Sequence, residues 1–394
     1  MSLQSRKEYI GTMRRRYQET KSKTAKSGII DEVVEVLEYH RKYAIQALNG
    51  LEPSRTVSLK RHRPVQYSEA LPTIQTVWEA LDYPCAERLH PVLCHTAELL
   101  KKYREIAFGQ EIAEQLSRIS CSTLARRIAR WDSPKFRRAL PHNKPNGLRS
   151  EIPIECYAWN EDKPGALEID LVEHNGGSSL GHFAYTLSVV DIVSGFSRRR
   201  AVLGRGQAGV HRELGDIINQ WPFHPWGLHS DNGSEFLSDQ LLRFCRQNGL
   251  SFTRGRPYHK NDNAHVEQKN RQYVREIVGY ERFDTPEAVE WLNQVYGLLD
   301  TYANLFLPMR KVVYKQRKGT HISKRYDAAC APLERLVQAG VLSASTEAAL
   351  NLQVQNTNPL ALHRQLERLL LQEPSKNTIL RDTFVAAGAD GSLG

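Results

Sequence analysis

The chain has 394 residues, 40% of them hydrophobic and 25% charged, a balance that excludes wholesale disorder. At roughly 100 to 200 residues per domain the length implies two to four modules, and the formal net charge of +10 implies a polyanionic partner. No run approaches the roughly 18 consecutive apolar residues of a spanning helix and the N-terminus has no apolar signal core, so a cytoplasmic, nucleoid-associated protein with no membrane partner is expected.

Charge is unevenly placed. Residues 1–150 hold 27 Lys+Arg against 16 Asp+Glu, residues 151–280 hold 14 against 16, and residues 281–394 hold 13 against 12. A basic N-terminal part beside a neutral core fits a DNA-binding region joined to a core whose carboxylates hold cations. The six cysteines, Cys85, Cys94, Cys121, Cys156, Cys245 and Cys330, form no CxxC pair, which argues against a disulfide framework or a zinc ribbon and leaves them as buried, reduced thiols.

In chain order, Gly28 to Leu48 reads as an apolar helix, a polar break at Tyr39 to Arg41 and a second short helix, a helix-turn-helix within an N-terminal region 1–60. Arg41 and Lys42 are its candidate DNA contacts. Region 61–131 is helical, with Trp78, Leu81, Leu89, Leu93 and Leu99 as core candidates. It ends in a second helix-turn-helix at Ile112 to Arg130, whose last helix opens on Ser122 or Thr123 as N-cap and presents Arg126, Arg127 and Arg130. Ordinary helical hairpins are the other reading of both pairs. Residues 132–153, with four prolines and little apolar periodicity, read as a linker and set a domain boundary near residue 150.

Beyond the linker, ALEIDLV, FAYTLSVVDIVSG and SRRRAVLG read as three strands, the last two turning at Gly195. A helix in GVHRELGDIINQW, a strand in WGLHSD, a helix closed by Gly249, a strand in LSFTRGRP and a helix from about Asn263 through VREIVG complete a core at 154–300. Three strands followed by helix, strand, helix, strand, helix is the order of an α/β ribonuclease H-like fold with a mixed five-stranded sheet. A basic segment at 301–330 has seven Lys or Arg and no acid from Arg310 to Arg325, the profile of a DNA contact. Region 331–394 is helical in pattern with a frayed tail, and an assembly surface is one use for it.

Asp170 lies in the first of these strands, Asp231 follows the fourth in LHSDNGSEF, and Glu267 lies in the first turns of the helix after RPYHKNDNAH. Sixty residues separate the first pair and 35 the second. These motifs, over about 130 residues, resemble the catalytic core of retroviral integrases and related bacterial insertion-sequence transposases of the DDE type. The resemblance implies that Asp170, Asp231 and Glu267 are catalytic and hold two Mg²⁺ (or Mn²⁺) ions, hard cations that take carboxylate oxygen. It also implies DNA partners, the terminal inverted repeats of a mobile element and target DNA, and a homo-oligomer that joins two ends. Asn232, Gly233, Lys260, Asn263 and Lys269 match the surrounding motif. Lys260, Asn263 and Lys269, with Arg271 and Arg275 at successive four-residue steps from Glu267, are candidate DNA contacts; charge pairing on a solvated helix is the other reading of the two arginines.

Glu168, Glu173, Asp191, Glu235, Asp239 and Asp262 lie near the motifs but suit capping or solvated positions, with Asp191, at the end of the second strand, the strongest competitor. His229 and His265 flank two of the acids and suit either an orienting or a merely packed role. The chain departs from retroviral integrases in lacking their N-terminal zinc module. A catalytically silent sequence-specific DNA-binding protein and a structure-specific nuclease on the same fold are the alternatives; the intact acids oppose the first and the paired helix-turn-helix candidates the second.

Overall fold

A computed structural model describes residues 1, 3–50, 67–131, 163–230, 239–254, 264–318 and 321–374. The chain divides into two compact units, Met1–Gln66 and Tyr67–Gly394. The division falls at Gln66 and not near residue 150, and the expected linker 132–153 lies outside the described residues.

In the first unit α1 (Leu3–Glu19), α2 (Lys23–Leu37) and α3 (Arg41–Leu48) close on a small core built around Met13, Val33, Ala44 and Leu48. The chain reverses between α2 and α3 through Glu38, in the left-handed region at φ 55°. His40 then starts α3 by accepting the Lys42 backbone N–H at 3.3 Å. The sequence gives no sign of α1: its apolar content is low, and among its described side chains only Met13 is fully buried.

The second unit begins with α4 (Leu71–Ala80), α5 (Ala86–Lys102), α6 (Gln110–Arg118) and α7 (Cys121–Ile128). Ser120, and not Ser122 or Thr123, caps α7: it is the last residue with extended backbone, and its Oγ accepts the Thr123 N–H at 3.3 Å. Then come β1 (Ala166–Glu173), β2 (Ala184–Asp191), β3 (Ser197–Leu203), α8 (Gln207–Asn219), β4 (Gly227–Ser230), α9 (Asp239–Gln247) and β5 (Ser251–Arg254). The sheet runs β3-β2-β1-β4-β5, antiparallel from β3 to β1 and parallel from β1 to β5. This order and these directions make it the mixed sheet of a ribonuclease H-like core.

Strand alternation gives the sheet two different faces. Leu167, Ile169, Leu187 and Val189 meet Val210 and Leu214 of α8 and Leu241 of α9 in one apolar layer. The opposite face is covered by α10 (Ala264–Asn270), a π-helical turn (Arg271–Arg275), α11 (Glu276–Val278) and α12 (Pro286–Leu305). At its centre it carries the buried polar residues Glu168, Thr186, Ser188 and Arg199. Thr186 is bonded to both His174 (2.7 Å) and Tyr296 (2.8 Å), so its buried hydroxyl is satisfied internally.

α12 also satisfies the outer edge of the sheet. Asn293 exchanges hydrogen bonds with the backbone of Ala201 (2.8 and 3.1 Å) and Asn304 with that of Ser197 (2.9 and 2.7 Å). Between them Asp300 accepts the Arg199 N–H at 2.7 Å and pairs with its guanidinium. Three side chains on one helix face thus take up the alternate outward-facing peptides of β3, which would otherwise pair with another chain.

Segments far apart in sequence share the core beyond α12. The apolar cluster joins α4, α5, α12 and α15. Tyr302 donates to Ala80 O at 2.9 Å, and Tyr103 to Gln355 O at 2.7 Å. The helices α13 (Pro332–Gln338), α14 (Ala344–Gln355) and α15 (Pro359–Leu371) complete the unit. The basic segment before them is a two-stranded antiparallel hairpin, β6 (Val312–Lys318) and β7 (His321–Tyr326). Cysteine burial departs from expectation, since Cys85 and Cys94 are exposed while Cys245 and Cys330 are buried. Among the described residues no helix is long and apolar enough to cross a membrane.

Arg199 and Asp300 are both buried, and breaking a buried pair strands the remaining charge. Asp300→Ala is therefore expected to lower unfolding stability by about 3–5 kcal/mol, measured by urea denaturation; a loss below about 1 kcal/mol would contradict the role given to the pair.

Candidate active site

The site lies where β1 meets α10. Glu168 and Asp170 are two residues apart on β1 and so share the face that α10 covers. Glu168 is buried, and its carboxylate accepts the Val266 backbone N–H at 2.8 Å. That N–H is one of the orphan donors of the first helical turn, so a side chain from the sheet caps α10.

Asn270, at the other end of α10, donates its amide to Asp170 Oδ2 at 2.7 Å, and Asp170 Oδ1 accepts the Leu171 N–H at 2.9 Å. Glu267 stands three residues before Asn270, one turn away on the same helix face, and is exposed. The helix is therefore tied to β1 on both sides of Glu267. The π-helical turn begins immediately after Asn270, and such widened turns recur at functional sites.

Asp231 lies outside the described residues. The strand leading to it, β4, ends at Ser230, which pairs with Ile169 in the parallel register, one residue before Asp170. Among the described residues no three His, Cys, Asp or Glu side chains form a metal-binding group.

The electrostatics follow the burial. Burial pushes the Glu168 carboxyl up to about 7; the N–H groups of Val266 and His265 pull it back, and Glu267 and Asp170 raise it again. The same effect takes His265 down to about 4, with Lys311 and Lys269 adding to it. His229 bonds Thr253 of the neighbouring strand at 2.8 Å. Asp191 has a structural job: its carboxylate accepts the backbone N–H of Ser194 and of Gly165, both at 2.6 Å, and the Ser194 hydroxyl at 2.7 Å, pinning the β2–β3 turn.

The candidate DNA contacts are scattered. Lys260, Asn263, Asn232, Gly233, Glu235 and Asp262 lie outside the described residues. Lys269 is buried and so faces no phosphate: its amine stands 4.8 Å from the Tyr273 ring and 3.8 Å from Met309 Sδ, and burial brings it down to about 7, with Arg199 the leading nearby charge. Arg275 is half-buried over the Tyr280 ring at 4.5 Å, whereas Arg271 is exposed and reaches Glu276 at 3.7 Å. On α7 Arg126 is exposed and Arg127 half-buried, and Arg130, just beyond its end, is exposed; in the first unit Arg41 pairs with Asp31, and Lys42 is exposed. Asn270 was not singled out from sequence, although its spacing of three from Glu267 was there to be read.

A carboxyl whose folded pKa lies above its unfolded value contributes most below the unfolded value and loses that contribution as pH rises through the folded one. For Glu168 that window runs from 4.5 to about 7. In the presence of a chelator, the stability of the wild type should fall relative to Glu168→Gln between about pH 5 and pH 8, by on the order of 2–3 kcal/mol. Parallel urea midpoints across that range would show that Glu168 does not titrate in this window.

No family model matches the sequence. The chain resembles the catalytic core domain of bovine immunodeficiency virus integrase, at 16% identity and a TM-score of 0.29 over 45% of this chain and 95% of that one. It also resembles the human T-lymphotropic virus 2 integrase core solved with magnesium, at 14% identity and a TM-score of 0.29 over 37% and 91%. Likenesses of this size carry no activity across, and the fold rests on the sheet order itself. The uncharacterized protein y4rM of Sinorhizobium fredii is 32% identical over 342 residues, 85% of this chain and 96% of that protein. With that identity along almost the whole of both chains, the protein belongs to the same family as y4rM.

Proposed function

We propose that the protein is a metal-dependent DNA strand transferase, a transposase or integrase that cuts at the 3′ ends of a mobile element and joins them to target DNA. The observation that carries this reading is the Asn270–Asp170 hydrogen bond. It fixes α10 so that Glu267 shares the helix face that reaches Asp170, while β4 runs toward Asp231 from a position paired beside Asp170.

The donor set suits Mg²⁺ or Mn²⁺. Asp170, Asp231 and Glu267 offer hard carboxylate oxygens and no thiolate. Asp170 accepts the Leu171 N–H on Oδ1 and the Asn270 amide on Oδ2, contacts that hold its carboxylate in one orientation. Two such cations supply a nucleophilic oxygen at neutral pH and stabilise the leaving oxygen of a phosphodiester. In this reading Asp170, Asp231 and Glu267 would hold the ions, Asn270 holds the Asp170 rotamer and Glu168 holds the helix. The reaction needs no covalent protein intermediate.

The exposed Arg126 of α7 and Arg130 just beyond its end, with Arg127 beside them, suit the contact with element ends, and Lys42 of α3 suits a second. Because two ends must be joined, the working form is a homo-oligomer on DNA.

The test is strand transfer by full-length protein with Mg²⁺ and duplexes carrying the sequences that flank its gene. Wild type should give joined products. Asp170→Asn and Glu267→Gln should lose roughly 10³-fold in rate, the several kcal/mol that a metal-stabilised transition state draws from its ligands, while still binding DNA. Wild-type binding without cleavage or joining under Mg²⁺ or Mn²⁺ would leave a silent DNA-binding protein in its place.

A further inference from the structure

The β6–β7 hairpin is a two-stranded ribbon whose described side chains on both strands, Val312 to Arg317 and Ile322 to Tyr326, are all exposed. A hairpin usually buries one face, and an isolated one is marginally stable in water. This one is also charged against itself. Lys315 is directly paired with Lys324, where like charges destabilise, and no acid occurs from Val312 to Tyr326.

Solubility does not account for the pattern. Edge lysines discourage strand pairing, but the same ribbon leaves Val313 62% exposed and Tyr314 49% exposed. Cations on a face with interleaved aromatic and β-branched residues suit a ligand that is anionic along its rails and apolar between them.

The root of the hairpin, by contrast, is held firmly. Asp327 accepts the Lys311 N–H at 2.6 Å and returns an N–H to Lys311 O at 3.0 Å. Arg335 of α13 pairs with Asp327 and donates to Met309 O at 2.9 Å. Met309 packs on the β2–β3 turn so closely that a Cβ on Gly195 would stand 2.5 Å from its Sδ. The same sulfur meets buried Lys269 of α10. The ribbon thus projects from a base seated on the helix that carries Glu267.

We infer that this hairpin is a DNA arm that enters a groove of duplex DNA, with Lys315 and Lys324 meeting backbone phosphates and the exposed apolar residues facing the groove. The inference rests on the strand-transferase reading above. The major groove, about 12 Å wide, admits a two-stranded ribbon, and the arm's cations displace the condensed counterions of the duplex. Its fixed root sets the duplex at a defined distance from the acids on β1 and α10.

The test is binding of full-length protein to a random-sequence 30-base-pair duplex, without metal, across a salt series. Lys315→Gln/Lys324→Gln should make log K against log salt shallower by about 1 to 2. Between 50 and 200 mM salt the wild type should then lose about tenfold more affinity than the variant. Lys324→Glu places an opposite charge across from Lys315, so it should melt no lower than wild type and still bind more weakly. That combination separates phosphate contact from damage to the fold.

Unchanged slope and affinity in both hairpin variants would overturn the inference and leave the strand-transferase reading standing. So would an unchanged slope with an altered sedimentation mass, which would make the ribbon a protein contact. Wild type that binds no duplex at any salt would overturn both readings together.

Discussion

Two carboxylates on β1 hold the helix on which the site depends. Glu168 reaches into the first turn of α10 and Asp170 receives Asn270 from its last residue, so the helix is fixed at both ends by one strand. A helix of seven residues has little stability of its own. Its position must come from such ties and from burial of Val266 and Asn270 against the sheet. Glu267 then needs no further device: it is exposed because the residues flanking it on the helix are the ones held down. Since Glu168 shares its strand face with Asp170, whatever orients β1 also orients both acids.

The sheet that carries β1 is in turn closed by α12. A ribonuclease H-like sheet has an open edge at β3, and here Asn293, Asp300 and Asn304 satisfy the backbone of Ala201, Arg199 and Ser197. The four-residue step from Asp300 to Asn304 matches the strand step from Arg199 to Ser197 because the rise per residue of a helix is about half that of a strand. The same helix presents Tyr302 and Trp291 to α4 and α15 through hydrogen bonds to Ala80 O and Leu369 O. One helix therefore transmits order from the terminal helical layer to the five-stranded sheet, which ties residues 67–131 to the rest of the second unit.

How far the sequence reveals this depends on the range of the forces involved. The strands and helices of the core are legible because alternation and helical periodicity are local, whereas the three acids are a proposal carried by a motif. Lys269 was misread for the complementary reason. A lysine next to a catalytic motif looks like a phosphate contact, and only the approach of Met309 and Arg199, 40 residues later and 70 earlier in the chain, buries it. α1 is hard to read because one buried methionine gives no period, and the composition of residues 132–153 marks a linker but says nothing of what the flanking segments pack against.

The basic hairpin shows the same limit from the other side. From Arg310 to Arg325 the sequence offers seven cations and no acid, which reads as a DNA contact but not as a strand pair, since the cations, valines and tyrosines do not sort onto one face. A ribbon forms there because its root is fixed by Asp327, Arg335 and Met309, so the loop-closure entropy is met by the body of the protein and the strands need only to pair. Stability supplied at the base leaves the sequence beyond it free of the usual demand for a buried face. That freedom lets side chains on both faces be chosen for a partner, and a self-repelling lysine pair is retained where only an anion would neutralise it.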